Sequence, residues 1–246
     1  MGKDTPDWGG WYNGILMHPL SDMAELAVRL GSPIIHDRAG NVIWYYDFEL
    51  GLDNVVTYKT SANKVISIQT NYVDWGAFAL QLDHALETTG YMQVYKDIQY
   101  LGPSRYGVAF SMIQNDEVQE HSFFFNIVED TTFIKFGVQY DRPNAKLHYW
   151  GSGNAWVEFA DNVADPTSSI LFQKYKIVVD TTLRQYYKFT MGRVIYDLRD
   201  IDAFTATDTD GEYMRLMLQS ETTGVGASSV YLDHMILTMN EPPTLG

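Results

Sequence analysis

Cysteine is absent from the 246 residues of this chain. That absence removes disulfides, thiolate zinc sites and cysteine nucleophiles together. Positive charge is also scarce: 17 Lys and Arg stand against 31 Asp and Glu, giving a net charge of −14 at pH 7. Such a surface repels a phosphate backbone, and no basic run offsets it, so no nucleic-acid partner is expected. The same charge favours solubility and divalent cations. No apolar run approaches the roughly 18 residues of a spanning helix, so no membrane insertion is expected. The opening MGKDTPDWGGWYNGILMHPL lacks an apolar h-region, so no signal peptide is visible. H-E-x-x-H, G-x-S-x-G and Walker patterns are all missing. Asp83-His84 and Asp233-His234 are neighbours in strand-like runs, where adjacent side chains point to opposite faces, so neither pair is expected to form a dyad. With no catalytic motif, the chain is expected not to be an enzyme.

What is present is strand after strand. Apolar residues make up 46% and aromatics 14% of the chain. Candidate strands are 42–49, 54–60, 64–70, 75–86, 91–99, 105–114, 120–128, 131–140, 145–150, 155–160, 170–180, 183–191, 193–198, 212–220 and 228–239. Turn signals such as Thr89-Gly90, Gly102-Pro103 and Gly151-Ser152-Gly153 separate them. Many short strands at regular spacing predict an all-β antiparallel sandwich. The parse is an N-terminal arm, 1–40, followed by a jelly-roll β-sandwich, 41–246.

The arm has its own character. Trp8, Trp11 and Tyr12 lie among glycines, which makes the segment pliable and adhesive. Met23, Leu26 and Leu30 then recur at helical spacing. Asp22 with Glu25 resembles a capping box, and Gly31 and Pro33 end the run, so one short helix is expected over 21–30. These apolar residues are the expected assembly surface, docked on the chain's own sandwich or on a neighbouring subunit.

The first strand reads VIWYYDFELG, 42–51. A regular strand would place Asp47 and Glu49 on one face. Two like charges about 6–7 Å apart repel by roughly 2–3 kcal/mol at an effective dielectric near 20, so they need water, a cation or a basic partner. The last strand reads SSVYLDHMILTM and carries Asp233 among large apolar neighbours. A carboxylate there also needs a reason.

The opening "DFE" near Val42–Gly51 and the closing "VYLDHMILT" resemble the first and last strands of concanavalin A-like and carbohydrate-binding jelly-roll modules. "YKIVVDTTLRQYYKFTMGRVIYDL" is similar to the paired strands of laminin-G-like modules, with Met191-Gly192-Arg193 at their turn. The resemblance implies neighbouring terminal strands and a structural Ca²⁺ held by acidic side chains. It makes Asp47, Glu49 and Asp233 the candidate ligands; backbone hydrogen bonds or an arginine partner are the alternative. The E-x-D-x-x-E strand of glucanases sharing the fold is absent. A sugar platform, if present, would use Trp75, Trp150, Trp156 and Tyr149 near predicted turns.

The block HPLSDMAELAVRLGSPIIHDRAGNVIWYYDFE also resembles the opening of uncharacterised jelly-roll proteins of phage virions. The leading expectation is therefore a non-enzymatic structural protein on the virion surface, such as a capsid decoration protein. It would be bound through its arm to itself or to capsid-shell subunits. The alternative is an extracellular carbohydrate-binding module with glycan partners. A third reading is a glycan-active enzyme.

Overall fold

The computed structural model describes residues 40–74, 76–84, 89–114, 120–163, 172–222 and 228–244. Arm residues 1–39, the helix expected over 21–30 and the assembly residues Trp8, Trp11, Tyr12, Met23, Leu26 and Leu30 lie outside them, as does Trp75.

The described chain is built from strands. They run β1 Asn41–Tyr46, β2 Val56–Lys59, β3 Val65–Gln69, β4 Ala79–Asp83, β5 Gly90–Ile98, β6 Arg105–Gln114, β7 Glu120–Glu129 and β8 Thr132–Asp141. There follow β9 Lys146–Gly151, β10 Ala155–Ala160, β11 Gln173–Asp180, β12 Gln185–Met191, β13 Val194–Asp197, β14 Phe204–Thr207, β15 Tyr213–Thr222 and β16 Ser229–Met239. Sheet A has the order β13-β12-β11-β6-β16-β4-β3, with β1 also paired to β16. Sheet B has the order β10-β9-β8-β7-β15-β5-β2, with β14 paired to β8. Every pairing is antiparallel. The first and last strands are neighbours, as expected.

Alternation explains the layers. In β15, Met214, Leu216 and Leu218 are buried while Tyr213, Arg215, Met217 and Gln219 are half-exposed. One face of each sheet thus closes on the other. Aromatic rings fill the gap: Phe123 of sheet B lies 5.2 Å from Phe110 and 4.8 Å from Tyr175 of sheet A, centroid to centroid. Tyr186 of β12 crosses the same gap. Its hydroxyl accepts from the Gly137 amide at 2.7 Å and shares its proton between the carbonyls of Gly137 and Trp150, at 3.1 and 2.9 Å.

Three local readings of the sequence are corrected. The first strand stops at Tyr46, because Phe48 takes a left-handed φ of 63° and the Gly51 amide closes a turn on its carbonyl. Asp47 and Glu49 therefore belong to a turn and not to one strand face. The strand expected over 75–86 begins only at Ala79, because the amides of Ala77 and Phe78 go to the Glu49 carboxylate. In the last strand, a register shift between Leu232 and His234 switches the faces: Val230 and Leu232, then Met235 and Leu237, enter the core.

Candidate functional site

Two groups of side chains stand out, one on the outer face of each sheet.

On sheet B the register aligns residues in rows across the strands. One row is Glu158, His148, Gln139, Ser122, Gln219, Gln93 and Tyr58. All alternate with core residues and so point outward. Gln93 donates to Gln219 at 2.8 Å. One position along the face, Trp156 opposes Trp150, and Phe124 opposes both Gly137 and Met217. The Trp150 and Trp156 rings meet edge to face at 4.9 Å, and Phe124 lies 5.7 Å from Trp156. Gly137 makes this closeness feasible: a Cβ there would stand 2.8 Å from the Phe124 ring and 3.2 Å from the Trp150 Cβ. Lys135 Nζ rests 3.5 Å from the Trp150 ring centre. Burial pulls the Lys135 ammonium down to a pKa of about 8. The Trp150 Nε1, His148 Nδ1 and Asn126 Oδ1 atoms are buried without hydrogen-bond partners.

At the other end of this face three carboxylates are directly opposed. Glu120 faces Asp141 on β8 and Glu221 on β15. Gln139 donates to Glu120 at 2.8 Å. Burial first, then the charges of Glu221 and Asp141, raise the Glu120 pKa above its ordinary value. A raised folded-state pKa means the folded chain holds this proton more tightly than the unfolded one. Its stability contribution is lost as pH climbs from about 4.5 through the folded value. Glu120→Gln should thus raise the melting temperature by about 1–3 °C at pH 7, with the gain gone below pH ~4. Thermal scans at both pH values check this; an equal gain at both would remove repulsion as the cause.

The expected platform residues separate. Trp150 and Trp156 lie side by side on the outer face. Tyr149 turns the other way and packs toward Tyr186 and Phe159, at 5.8 and 6.3 Å. Phe124, Lys135 and the acids Glu120, Asp141 and Glu221 were not singled out from the sequence. Their alternation along β7 and β8 is visible there, but their cross-strand register is not.

On sheet A two of the expected acids, Glu49 and Asp233, accept backbone amides from residues just before β4. Glu49 accepts the amides of Ala77 at 2.6 Å and Phe78 at 2.9 Å. Asp233, fully buried, accepts the amide of Asp74. Asp47 accepts the amide of Glu49 at 3.3 Å, its own turn. Each of the three acids thus accepts at least one backbone amide.

Asp233 and His234, expected to diverge, come together. The bulge leaves the Asp233 Oδ1 3.7 Å from the His234 Nε2, while the Asp74 Oδ2 lies 3.8 Å from the Nδ1. Ser111 donates to Asp74 at 2.8 Å, and Lys174 stands 3.9 Å away. Tyr45 stacks on the imidazole at 5.8 Å. Burial pushes the His234 pKa down to about 4, against the pull of Asp74, so the ring is neutral at pH 7. An all-oxygen shell of six to eight ligands, which Ca²⁺ requires, does not match a centre with an imidazole in it.

No family model and no curated protein matches this chain. Solved structures do. The endo-β-1,4-glucuronan lyase of the fungus Trichoderma reesei aligns at 14% identity and a TM-score of 0.53, over 81% of this chain and 96% of the lyase. The potassium-bound carbohydrate recognition domain of Emp46p aligns at 8% identity and a TM-score of 0.51, over 80% of this chain and 93% of the domain. A sialidase aligns at 10% identity and a TM-score of 0.50, over 82% of this chain, which spans only 18% of the sialidase. At these identities the likeness is one of architecture, and with two antiparallel sheets and adjacent terminal strands the chain has the concanavalin A-like jelly-roll fold.

Proposed function

We propose that this chain is a glycan-binding module without catalytic activity, and that its contact surface is the outer face of sheet B. The observation that carries this is the Trp150–Trp156 pair set beside a row of carboxamides. Aromatic faces suit the apolar C–H faces of a sugar ring, and amides suit its hydroxyls. The carbohydrate recognition domain among the similar folds supports the reading, and an extracellular setting fits it. A structural cation is compatible with it, as the potassium-bound form of that domain illustrates. The virion reading rests on an arm outside the described residues, and no comparison supports it.

A glycan array followed by titration calorimetry tests the proposal. Trp156→Ala is expected to weaken binding about tenfold, equivalent to roughly 1.4 kcal/mol, while the melting temperature moves little. No glycan bound above background would sink the module reading.

One observation favours cleavage as a second reading. Glu120 and Glu221 are directly opposed, which sets their Cβ atoms about 4.5–5.5 Å apart. Two carboxyls this close on one face, one of them with its pKa raised by burial and by the other's charge, suit acid and nucleophile roles. Reducing-end release from a glycan panel, lost in Glu120→Gln, would establish it; binding without release would exclude it.

A further inference from the structure

We propose that Asp74, Asp233 and His234 form a binding site for one borderline divalent cation, of which Zn²⁺ is the type.

The site is made by the irregularity in β16. In a regular strand Asp233 and His234 would face apart, and one would enter the core. The shift between Leu232 and His234 restores Met235 and Leu237 to the core and turns both polar residues outward. Bulges commonly re-aim side chains in this way. Asp74 arrives from the segment before β4 and is fixed there: its amide donates to Asp233 and its carboxylate accepts from Ser111. One ligand atom from each of the three residues lies within 4.8 Å of the other two.

His234 is the observation that points to a ligand. The residue is 1% exposed, and neither ring nitrogen has a hydrogen-bond partner. A neutral imidazole carries one donor and one acceptor, and leaving such groups buried and unmade is costly. The neighbouring carboxylates are too far for hydrogen bonds, at 3.7 and 3.8 Å. One ring nitrogen serves one ion, so either separation suits two ligands sharing it, and the remaining carboxylate offers an oxygen within 4.8 Å of both. Metal–ligand bonds near 2.1 Å at tetrahedral to trigonal angles set ligand atoms about 3.4–3.6 Å apart.

The donor set selects the ion. Imidazole with carboxylate suits Zn²⁺ and its borderline neighbours, whereas Ca²⁺ seeks oxygen alone. Lys174, 3.9 Å from Asp74, offsets one of the two carboxylate charges. Asp47 and Glu49 keep the surroundings negative, since both act on the His234 charge.

The test uses the full chain, stripped with chelator and titrated with Zn²⁺, with Ca²⁺ in a parallel arm. One Zn²⁺ per chain is expected to bind and to raise the melting temperature by about 5–10 °C at a hundredfold its Kd. Co²⁺ in its place is expected to give visible d–d absorption with imidazole coordination. His234→Gln should abolish both responses. Should that variant misfold, Asp74→Asn at the half-exposed ligand should weaken Zn²⁺ at least tenfold. An unchanged melting curve, an equal response in the variants, or preference for Ca²⁺ would overturn the proposal.

Discussion

Replacing Glu241 with Gln is expected to lower the stability of the chain by about 3–5 kcal/mol. The Glu241 carboxylate has no exposed surface, and the Lys176 ammonium is 5% exposed, 2.8 Å from its Oε1. Thr238 donates to the same oxygen. The pair sits over Gly107, where a Cβ would meet Glu241 Oε1 at 2.5 Å. The site thus joins β6, β11 and the residues just after β16. Neutralising one partner strands the other charge away from water, and that desolvation is what makes the loss large. The midpoint of thermal unfolding should fall by about 6–20 °C. The double variant Lys176→Met with Glu241→Leu should recover most of it, because neither residue then carries a buried charge. A single-variant loss below about 1 kcal/mol would mean that water reaches the pair.

Phe123→Ala should cost a similar amount, about 3–5 kcal/mol, for a different reason. Phe123 has no exposed surface and lies between Phe110, Tyr175 and Phe189, with ring centres at 5.2, 4.8 and 6.3 Å. It is a sheet B ring surrounded by sheet A rings. Truncation leaves a void that antiparallel ladders on both sides cannot collapse to fill. Phe123→Leu keeps most of the volume and should cost much less, under about 1.5 kcal/mol. Urea denaturation of both variants measures the difference. Equal losses would show that ring contacts matter more there than volume.

Much of the architecture was legible in the chain. The alternation of YMRLMLQSET and TFIKFGVQY shows which residues enter the core, since a strand has a period of two. Closure of the sandwich by its terminal strands followed from the fold resemblance. Local exceptions were not legible. The end of β1 at Tyr46 depends on a left-handed Phe48, a conformation a bulky aromatic residue seldom takes. β14 was missed because Phe204–Thr207 is short and lies mostly at the surface. The site itself was half legible. Trp150 and Trp156 could be named from their place near a turn. The opposition of Glu120 and Glu221 could not, because nothing local fixes the register of strands so far apart in sequence. Asp233 drew notice as a carboxylate among apolar residues. Its meeting with His234 requires one extra residue in β16, and the strand's composition carries no mark of it.

The Tyr186 hydroxyl has a mechanical consequence. Two packed sheets held by apolar side chains are interlocked by shape, but dispersion contacts across the gap carry no directional bond. A single phenol anchored on Gly137 and Trp150 acts as a shear pin between the layers. Its far end grips the backbone of the strands that carry Gly137 and Trp150, so a force on that face reaches sheet A as well. Tyr186→Phe would leave the layers packed and the pin removed, and slow hydrogen exchange at the Gly137 amide should be lost first.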